Sequence, residues 1–320
     1  MNHLLVTGAN GFVGGALCAR LLQAGHRVTG IVRRAGTCPA GVEEWVHPEA
    51  DFVGIDAAWR AGSGADALIH LAARVHVMHD DAQDPEAAFR ASNVDATLRL
   101  ARAAQANGVR RFVFVSSIKA VGEADHGTPL DETAPCAPED AYGRSKLAAE
   151  TGLRALHDAG GLDCVIVRPP LVYGPEVRAN YLSMLRAVAR GLPLPLKHAR
   201  ARRSMVYVDN LADALARCAT DARAAGGTFH VADPDTPTIA GWLTQLGRHL
   251  GRPARLLPVP VALLRLAGAL TGRAAQIERL TTDLRVDGSR LMRTLDWQPP
   301  VAADEGLART AHWFRSHYKR

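Results

Sequence analysis

Tyr142 and Lys146 stand four residues apart in "YGRSKLAAE" (142–150), a spacing that places two side chains on one face of a helix. A tyrosine with a pKa of about 10 is a poor base and a slow acid at neutral pH. A neighbouring ammonium and an oxidised nicotinamide both favour the phenolate and lower that pKa, which makes the pair a candidate proton-transfer site. A hydroxyl partner is available upstream, where "FVFVSSIKAVGE" (112–123) ends a β-branched and aromatic run on Ser116 and Ser117. Serine, tyrosine and lysine suffice for carbonyl/alcohol chemistry once a hydride carrier is bound beside them.

The N-terminus offers a place for that carrier. "VTGANGFVGGALCARLL" (6–22) sets Gly8, Gly11 and Gly14 after a short apolar run and at the start of an amphipathic one. The G-x-x-G-x-x-G spacing differs from the G-x-G-x-x-G dinucleotide fingerprint but serves the same physics. Glycines permit the tight turn and a close backbone approach to a pyrophosphate, whose charge meets a helix N-terminus. At the end of the second strand an acid would hold the ribose hydroxyl, whereas arginine suits a ribose phosphate. Here Val32 is followed by Arg33 and Arg34, which favours NADP over NAD as the cofactor. Asp51 is a candidate adenine contact.

These groups need a scaffold that brings residues 8–14, 116–117 and 142–146 to one edge. The first 170 residues alternate β-branched runs (4–8, 27–32, 67–73, 111–117, 164–170, and a weaker one at 43–47) with helical stretches at 12–24, 85–107 and 140–158. That alternation predicts an α/β fold with a parallel sheet. Further helices are expected at 179–190, 209–222, 238–250 and 301–316, with short strands at "MVYV" and "TFHVA" and Trp297 as a core anchor. The expected division is a Rossmann-type, doubly wound cofactor domain over 1–174. A smaller substrate-binding lobe follows over 175–320, with some segments returning to the first domain. The run "LLPVPVALLRLAGALTG" (256–272) holds Arg265 and two prolines, is short for a membrane span, and reads as a strand end leading into a buried helix.

Composition excludes several classes. The 320-residue chain is 48% hydrophobic and 22% charged, ordinary globular values. Its five cysteines are scattered without CxxC spacing, against a disulfide framework or zinc site and in keeping with a reducing cytoplasm. The net charge of +6 comes from dispersed arginines rather than a basic block, so anionic small molecules fit better than nucleic acid or membrane. "HVMHDD" (76–81) gathers His76, His79, Asp80 and Asp81, but no further cluster supports a metal, and none is expected. Arg74, beside "HLAA", is either an active-site cation or a loop charge.

In order along nearly the whole chain, these motifs resemble the extended short-chain dehydrogenase/reductases, in particular the NAD(P)-dependent nucleotide-sugar epimerase/dehydratase group. "TGANGFVG" is similar to the family's cofactor loop, which adds Phe12 and Val13 to the glycines, and "LIHLAA" (68–73) to the strand beside the cofactor, implying Leu71, Ala72 and Ala73. "NVDAT" matches the segment of a structural asparagine, Asn93, at the cofactor site. "SS" and "YGRSK" match the catalytic set. The position of Gly122 puts Ser117 on the catalytic serine, with Ser116 as a cofactor contact and fallback. Tyr142 and Lys146 are implied both in catalysis and in holding the cofactor. "VRPPLVYGP" (167–175) resembles the loop passing the nicotinamide, which implies Pro169. Asn180 and Arg203 match the substrate asparagine and the arginine that grips the nucleotide diphosphate, a task suited to a planar donor fork.

The resemblance implies chemistry at C4 of a hexose linked to UDP or dTDP, in a protein that forms a homodimer through helices of its sheet domain. Val121 stands where many 4-epimerases carry tyrosine, and "SSIKAVGE", with Lys119 as a further substrate contact, resembles a branch of bacterial polysaccharide enzymes. With Arg33 and Arg34, this tilts the reading toward reduction of a 4-keto-6-deoxy sugar for polysaccharide or O-antigen precursors. The alternative is a UDP-glucose or UDP-N-acetylglucosamine 4-epimerase with tightly bound NAD. A 4,6-dehydratase would carry Asp-Glu where Ile118-Lys119 stand. A third reading, from another class, is a non-catalytic NADP-binding sensor, and a fourth a reductase of steroid or aromatic carbonyls.

Overall fold

A computed structural model describes residues 1–60, 64–75 and 84–318. The order of elements is β1 (His3–Thr7), α1 (Phe12–Gln23), β2 (Arg27–Val32), β3 (Glu43–Val46), β4 (Ala67–His70), α2 (Pro85–Arg90), α3 (Ala96–Ala106), β5 (Arg111–Val115), α4 (Ala141–Asp158), β6 (Asp163–Arg168) and β7 (Leu171–Tyr173). There follow α5 (Ala179–Ala189), β8 (Met205–Tyr207), α6 (Val208–Thr220), β9 (Thr228–His230), α7 (Ile239–His249), α8 (Val261–Leu270), α9 (Ala274–Thr281), α10 (Ser289–Leu295) and α11 (Ala303–His317).

Seven strands form one parallel sheet in the order β3-β2-β1-β4-β5-β6-β9. Strands buried on both faces need apolar residues at successive positions. Accordingly Leu4 and Val6 face a core shared with α1 and α6, while Leu5 faces one shared with α3 and α4. The strand order reverses between β1 and β4, and the C-terminal ends of these two strands open the crevice where ligands bind in such sheets. In register, Thr7 lies opposite His70, and its Oγ1 is 2.7 Å from His70 Nδ1. The same oxygen accepts from Leu71 and Ala72 N–H at 3.2 Å each, which ties the two strand ends together. Buried between Thr7 and Thr97, His70 has its pKa lowered to about 3 by desolvation and stays neutral.

The second half divides its elements. β9 extends the main sheet beside β6, and α6 packs against α1 over that sheet. α5, α7 and α11 enclose a separate core with the two-stranded β7-β8 sheet, around Tyr181, Trp242, Leu243 and Phe314. Trp297 is buried as expected and donates from Nε1 to Asp213 at 2.8 Å.

Two expected helices differ. The stretch 85–107 is broken by a π turn over Ala91–Asp95, which aims Asn93 into the sheet domain rather than continuing the α-helical phase. Such turns often mark functional positions. The helix expected to be buried within 256–272 lies on the surface: on α8 only Leu264 and Gly268 are buried, and Leu270 is 80% exposed. Its apolar run has no second layer to pack beneath. Among the described residues no helix is long and apolar enough to cross a membrane.

Candidate active site

The loop from β1 into α1 is built for a close-approaching ligand. Gly8 has φ of +68°, a left-handed conformation, and a Cβ there would stand 3.1 Å from Ala72 N. Gly11 N–H donates to Gly8 O at 2.9 Å, closing the turn. At Gly14 the constraint is space alone, because a Cβ would lie 2.0 Å from Gly8 O and 2.8 Å from Ala9 Cα. The α1 N-terminus receives no side-chain cap and has no acid in its first turn, so its N–H groups and positive dipole end face the crevice. Phe12 and Val13 form its first turn, and Leu71, Ala72 and Ala73 line the opposite side at the end of β4. This cradle fits a dinucleotide pyrophosphate. Gly14→Ala is expected to cost about 1–3 kcal/mol by overpacking. It should also abolish nucleotide retention, read by urea unfolding and by nucleotide absorbance of the purified protein.

Arg33 and Arg34 follow β2 at the same sheet edge, exposed, and their guanidinium groups meet no partner among the described residues. Asp51 lies in a short 3-10 turn with φ of +53°, and its carbonyl accepts from Arg99, which pins the turn to α3.

β5 and α4 bring the proposed catalytic groups together. Asp140 caps α4, its side chain accepting from Gly143 N–H at 2.7 Å, so the helix starts just before Tyr142. Ser117 lies on the Tyr142 side of the serine turn, near enough to lower the phenol's pKa. Lys146, one turn on, donates to Val115 O at 2.9 Å and sits 4.6 Å from the Phe114 ring centre and 5.8 Å from that of Tyr142. The three residues thus converge, and the protein's own groups do not by themselves acidify the tyrosine. Burial pushes the Tyr142 pKa up to about 12, against the lowering effect of Ser117. Burial also lowers that of Lys146 to about 7, with Glu150 opposing. Desolvation of the phenol thus outweighs the help it receives from Ser117.

Ser116 points the other way. Its Oγ donates to Glu150 Oε1 at 2.6 Å, and Glu150 in turn accepts from Arg168 at 2.9 and 2.5 Å, all three being buried. Ser117 therefore faces Tyr142, and Ser116 belongs to a buried ion-pair network that joins α4 to β5 and β6. Asn93 is a scaffold in the same sense. Its Oδ1 accepts from Arg74 N–H at 2.8 Å, and its Nδ2 donates to Arg74 O at 3.0 Å and Ser145 Oγ at 2.9 Å. The Arg74 guanidinium lies over the Phe89 ring at 5.6 Å. Pro169 O accepts from Ile118 N–H at 3.0 Å, setting the loop after β6 beside the serine turn.

The residues expected at the substrate are spread along one side. Lys119 is ion-paired with Glu123 at 2.8 Å and Asp140 at 2.5 Å. Glu123 also binds Arg279 at 3.1 Å. Arg203 donates to the carbonyls of Arg279 at 3.0 Å and Thr282 at 3.3 Å, and burial lowers its pKa. Asn180 is exposed at the first turn of α5, outside this network. Glu123, Asp140 and Arg279 line a cleft of about 900 Å³ between the sheet domain and the α8–α9 hairpin. Asp140, Glu150 and Arg279 escaped the sequence reading. Asp140 carried a usable signal, an acid directly before a helix start, whereas the other two gain meaning only from tertiary contacts.

His76, His79, Asp80 and Asp81 lie outside the described residues. Among the described residues no group of three His, Cys, Asp or Glu side chains is placed to hold a metal.

Residues 4–232 match the model of the "NAD dependent epimerase/dehydratase family". The chain belongs to that family. It is 37% identical over 317 residues to a UDP-glucose 4-epimerase of Vibrio cholerae, covering 97% of this chain and 95% of that protein. It is 30% identical over 331 residues to a dTDP-glucose 4,6-dehydratase of Streptomyces griseus, covering 98% and 94%. The UDP-glucose 4-epimerase of Thermotoga maritima, solved with UDP-glucose, superposes with a TM-score of 0.78 at 21% identity over 98% of this chain and 99% of its own. The last likeness bears on the fold, a Rossmann-type α/β sheet, and the cofactor class of the family is NAD.

Proposed function

We propose that the protein is a 4-epimerase of a UDP-linked hexose. The observation that carries this reading is the convergence of Ser117 and Lys146 on Tyr142, with the Lys146 ammonium 5.8 Å from the tyrosine ring centre, beside a glycine cradle that excludes side chains. The Vibrio cholerae relative favours epimerisation over net reduction, against the tilt of the sequence motifs.

NAD held at the cradle of Gly8, Gly11 and Gly14 would supply reversible hydride transfer at C4. Tyr142 takes the proton of the C4 hydroxyl and gives it back, and Ser117 donates to the C4 oxygen. Lys146 adds positive charge near the phenol, and Ser116, Glu150 and Arg168 hold the serine turn in place. The tyrosine enters this cycle protonated, so a cationic neighbour must be added before it acts as a base. Oxidised nicotinamide is such a neighbour, and ultraviolet titration of the tyrosine is expected to move toward neutral pH when oxidised cofactor is added.

The test is to incubate the purified enzyme with UDP-galactose and without added cofactor. Conversion to UDP-glucose supports epimerisation. Absence of conversion, with consumption of added NADPH by a 4-keto-6-deoxy nucleotide sugar, would establish the reductase reading instead.

That second reading rests on Arg33 and Arg34, whose guanidinium groups follow β2 and meet no partner among the described residues. If NADP is the cofactor, replacing both with alanine should lower kcat/KM for NADPH by about 10- to 100-fold and leave NADH nearly unaffected. Equal losses for both nucleotides would remove the arginines from cofactor choice.

A further inference from the structure

Exposed leucines cluster on this protein. Six leucines among the described residues are exposed, and five of them, Leu192, Leu257, Leu263, Leu266 and Leu270, lie on α8 or on two segments beside its start. Those segments touch: Leu194 bridges Leu256, and Lys197 N–H donates to Leu257 O at 3.2 Å. On α8, Leu263, Leu266 and Leu270 follow the spacing of one helical face. Leu264 and Gly268 occupy the roughly opposite face, and Gly268 lies so near α9 that a Cβ would stand 2.8 Å from Ile277 Cγ1. The outward face is the more apolar one.

The segments that carry that face are basic, and Glu278 of α9, which meets it, is paired with Arg265. Residues 177–208 and 236–277, which include α5, α7 and α8, contain twelve of the chain's 38 lysines and arginines and none of its 32 acids. Because the whole chain carries only +6, the remainder is net negative and the basic excess is local. Arg255, before α8, and Arg273, after it, are exposed, and their guanidinium groups meet no partner among the described residues. Arg265, on the helix itself, is paired with Glu278 at 3.2 Å.

A leucine stripe flanked by unpaired arginines matches a surface with hydrocarbon at one depth and negative charge just above it. We propose that α8 docks the protein on an anionic lipid bilayer, with its leucines at the boundary of headgroups and acyl chains and Arg255 and Arg273 at lipid phosphates. Charge argues against a second copy of the chain as the occupant, because pairing two such faces brings arginine against arginine. The contact is peripheral. The same hairpin walls the cleft through Arg265, Glu278 and Arg279, so docking holds the mouth of the cleft near the headgroups.

Flotation of the full-length protein with lipid vesicles tests this. Binding is expected to phosphatidylglycerol-containing vesicles but not to pure phosphatidylcholine, and it should fall as salt is raised. Arg255→Gln combined with Arg273→Gln should lower the partition coefficient about 30-fold. Leu263→Ser, Leu266→Ser and Leu270→Ser together should abolish flotation, with the thermal midpoint and nucleotide binding preserved. Failure of the wild type to float with anionic vesicles overturns the proposal, as does equal flotation on neutral vesicles that the arginine changes leave intact. A wild-type dimer that becomes a monomer in the leucine variant would assign the face to a second copy. If the leucine variant does not fold, the arginine pair and the lipid comparison still decide.

Discussion

Tyr142→Phe is expected to lower kcat about a thousandfold, with KM for the nucleotide sugar within about threefold of wild type. The change removes one oxygen and little else. The ring keeps its edge contact with Phe89, at 6.1 Å between centroids, and Lys146 keeps its bond to Val115 O. Ser117 Oγ keeps the Lys119 N–H that it accepts at 3.2 Å, so the serine turn should hold. What disappears is the group proposed to exchange a proton with the C4 oxygen. Single-turnover kinetics should place the loss in the chemical step. Unchanged kcat would remove Tyr142 from catalysis, and with it the proposed reaction. The two serines supply an internal control. Ser117→Ala should slow turnover about 10- to 100-fold. Ser116→Ala should act mainly on stability, since Glu150 loses a hydrogen bond in a buried network. A larger kinetic loss at Ser116 than at Ser117 would mean that the serine turn faces the other way.

The distinction between those serines shows what the sequence could carry. Adjacent residues leaving a strand point to opposite sides, so one of the pair had to face the crevice, and the family resemblance, through the position of Gly122, implies Ser117. Glycine spacing, parallel strands and the four-residue step from Tyr142 to Lys146 are local, and they were legible for that reason. The helix over 256–272 was misjudged because an apolar run looks alike whether protein or something else covers it. Only the absence of a packing layer over Leu263, Leu266 and Leu270 separates the two cases. The π turn at Asn93 was hidden for a related reason. It exists because Arg74 and Ser145, 19 and 52 residues away, take up the side-chain amide. The tyrosine's acidity turns on a magnitude that no motif displays: desolvation of the phenol is a larger effect than the lowering by Ser117.

That desolvation makes Lys146→Met a substitution with opposite effects on activity and stability. The folded protein holds Lys146 at a pKa of about 7, below the ordinary lysine value of 10.5. Below about pH 7 the folded state therefore carries a buried ammonium at full cost. Between about pH 7 and the unfolded value, the unfolded chain binds the proton that the folded chain has released, so wild-type stability rises with pH across that window. Methionine fits a similar volume without charge. It leaves Val115 O without its side-chain donor, which offsets part of the gain. The variant should be more stable than wild type by about 1–3 kcal/mol near pH 6, and the difference should shrink toward about pH 10. Its kcat should fall about 100-fold or more, because the charge beside Tyr142 is gone. Urea unfolding at the two pH values reads the first effect and steady-state kinetics the second. A variant less stable than wild type at pH 6 would mean that the ammonium is compensated by groups around it, and that its burial is not the strain a proton-transfer site stores.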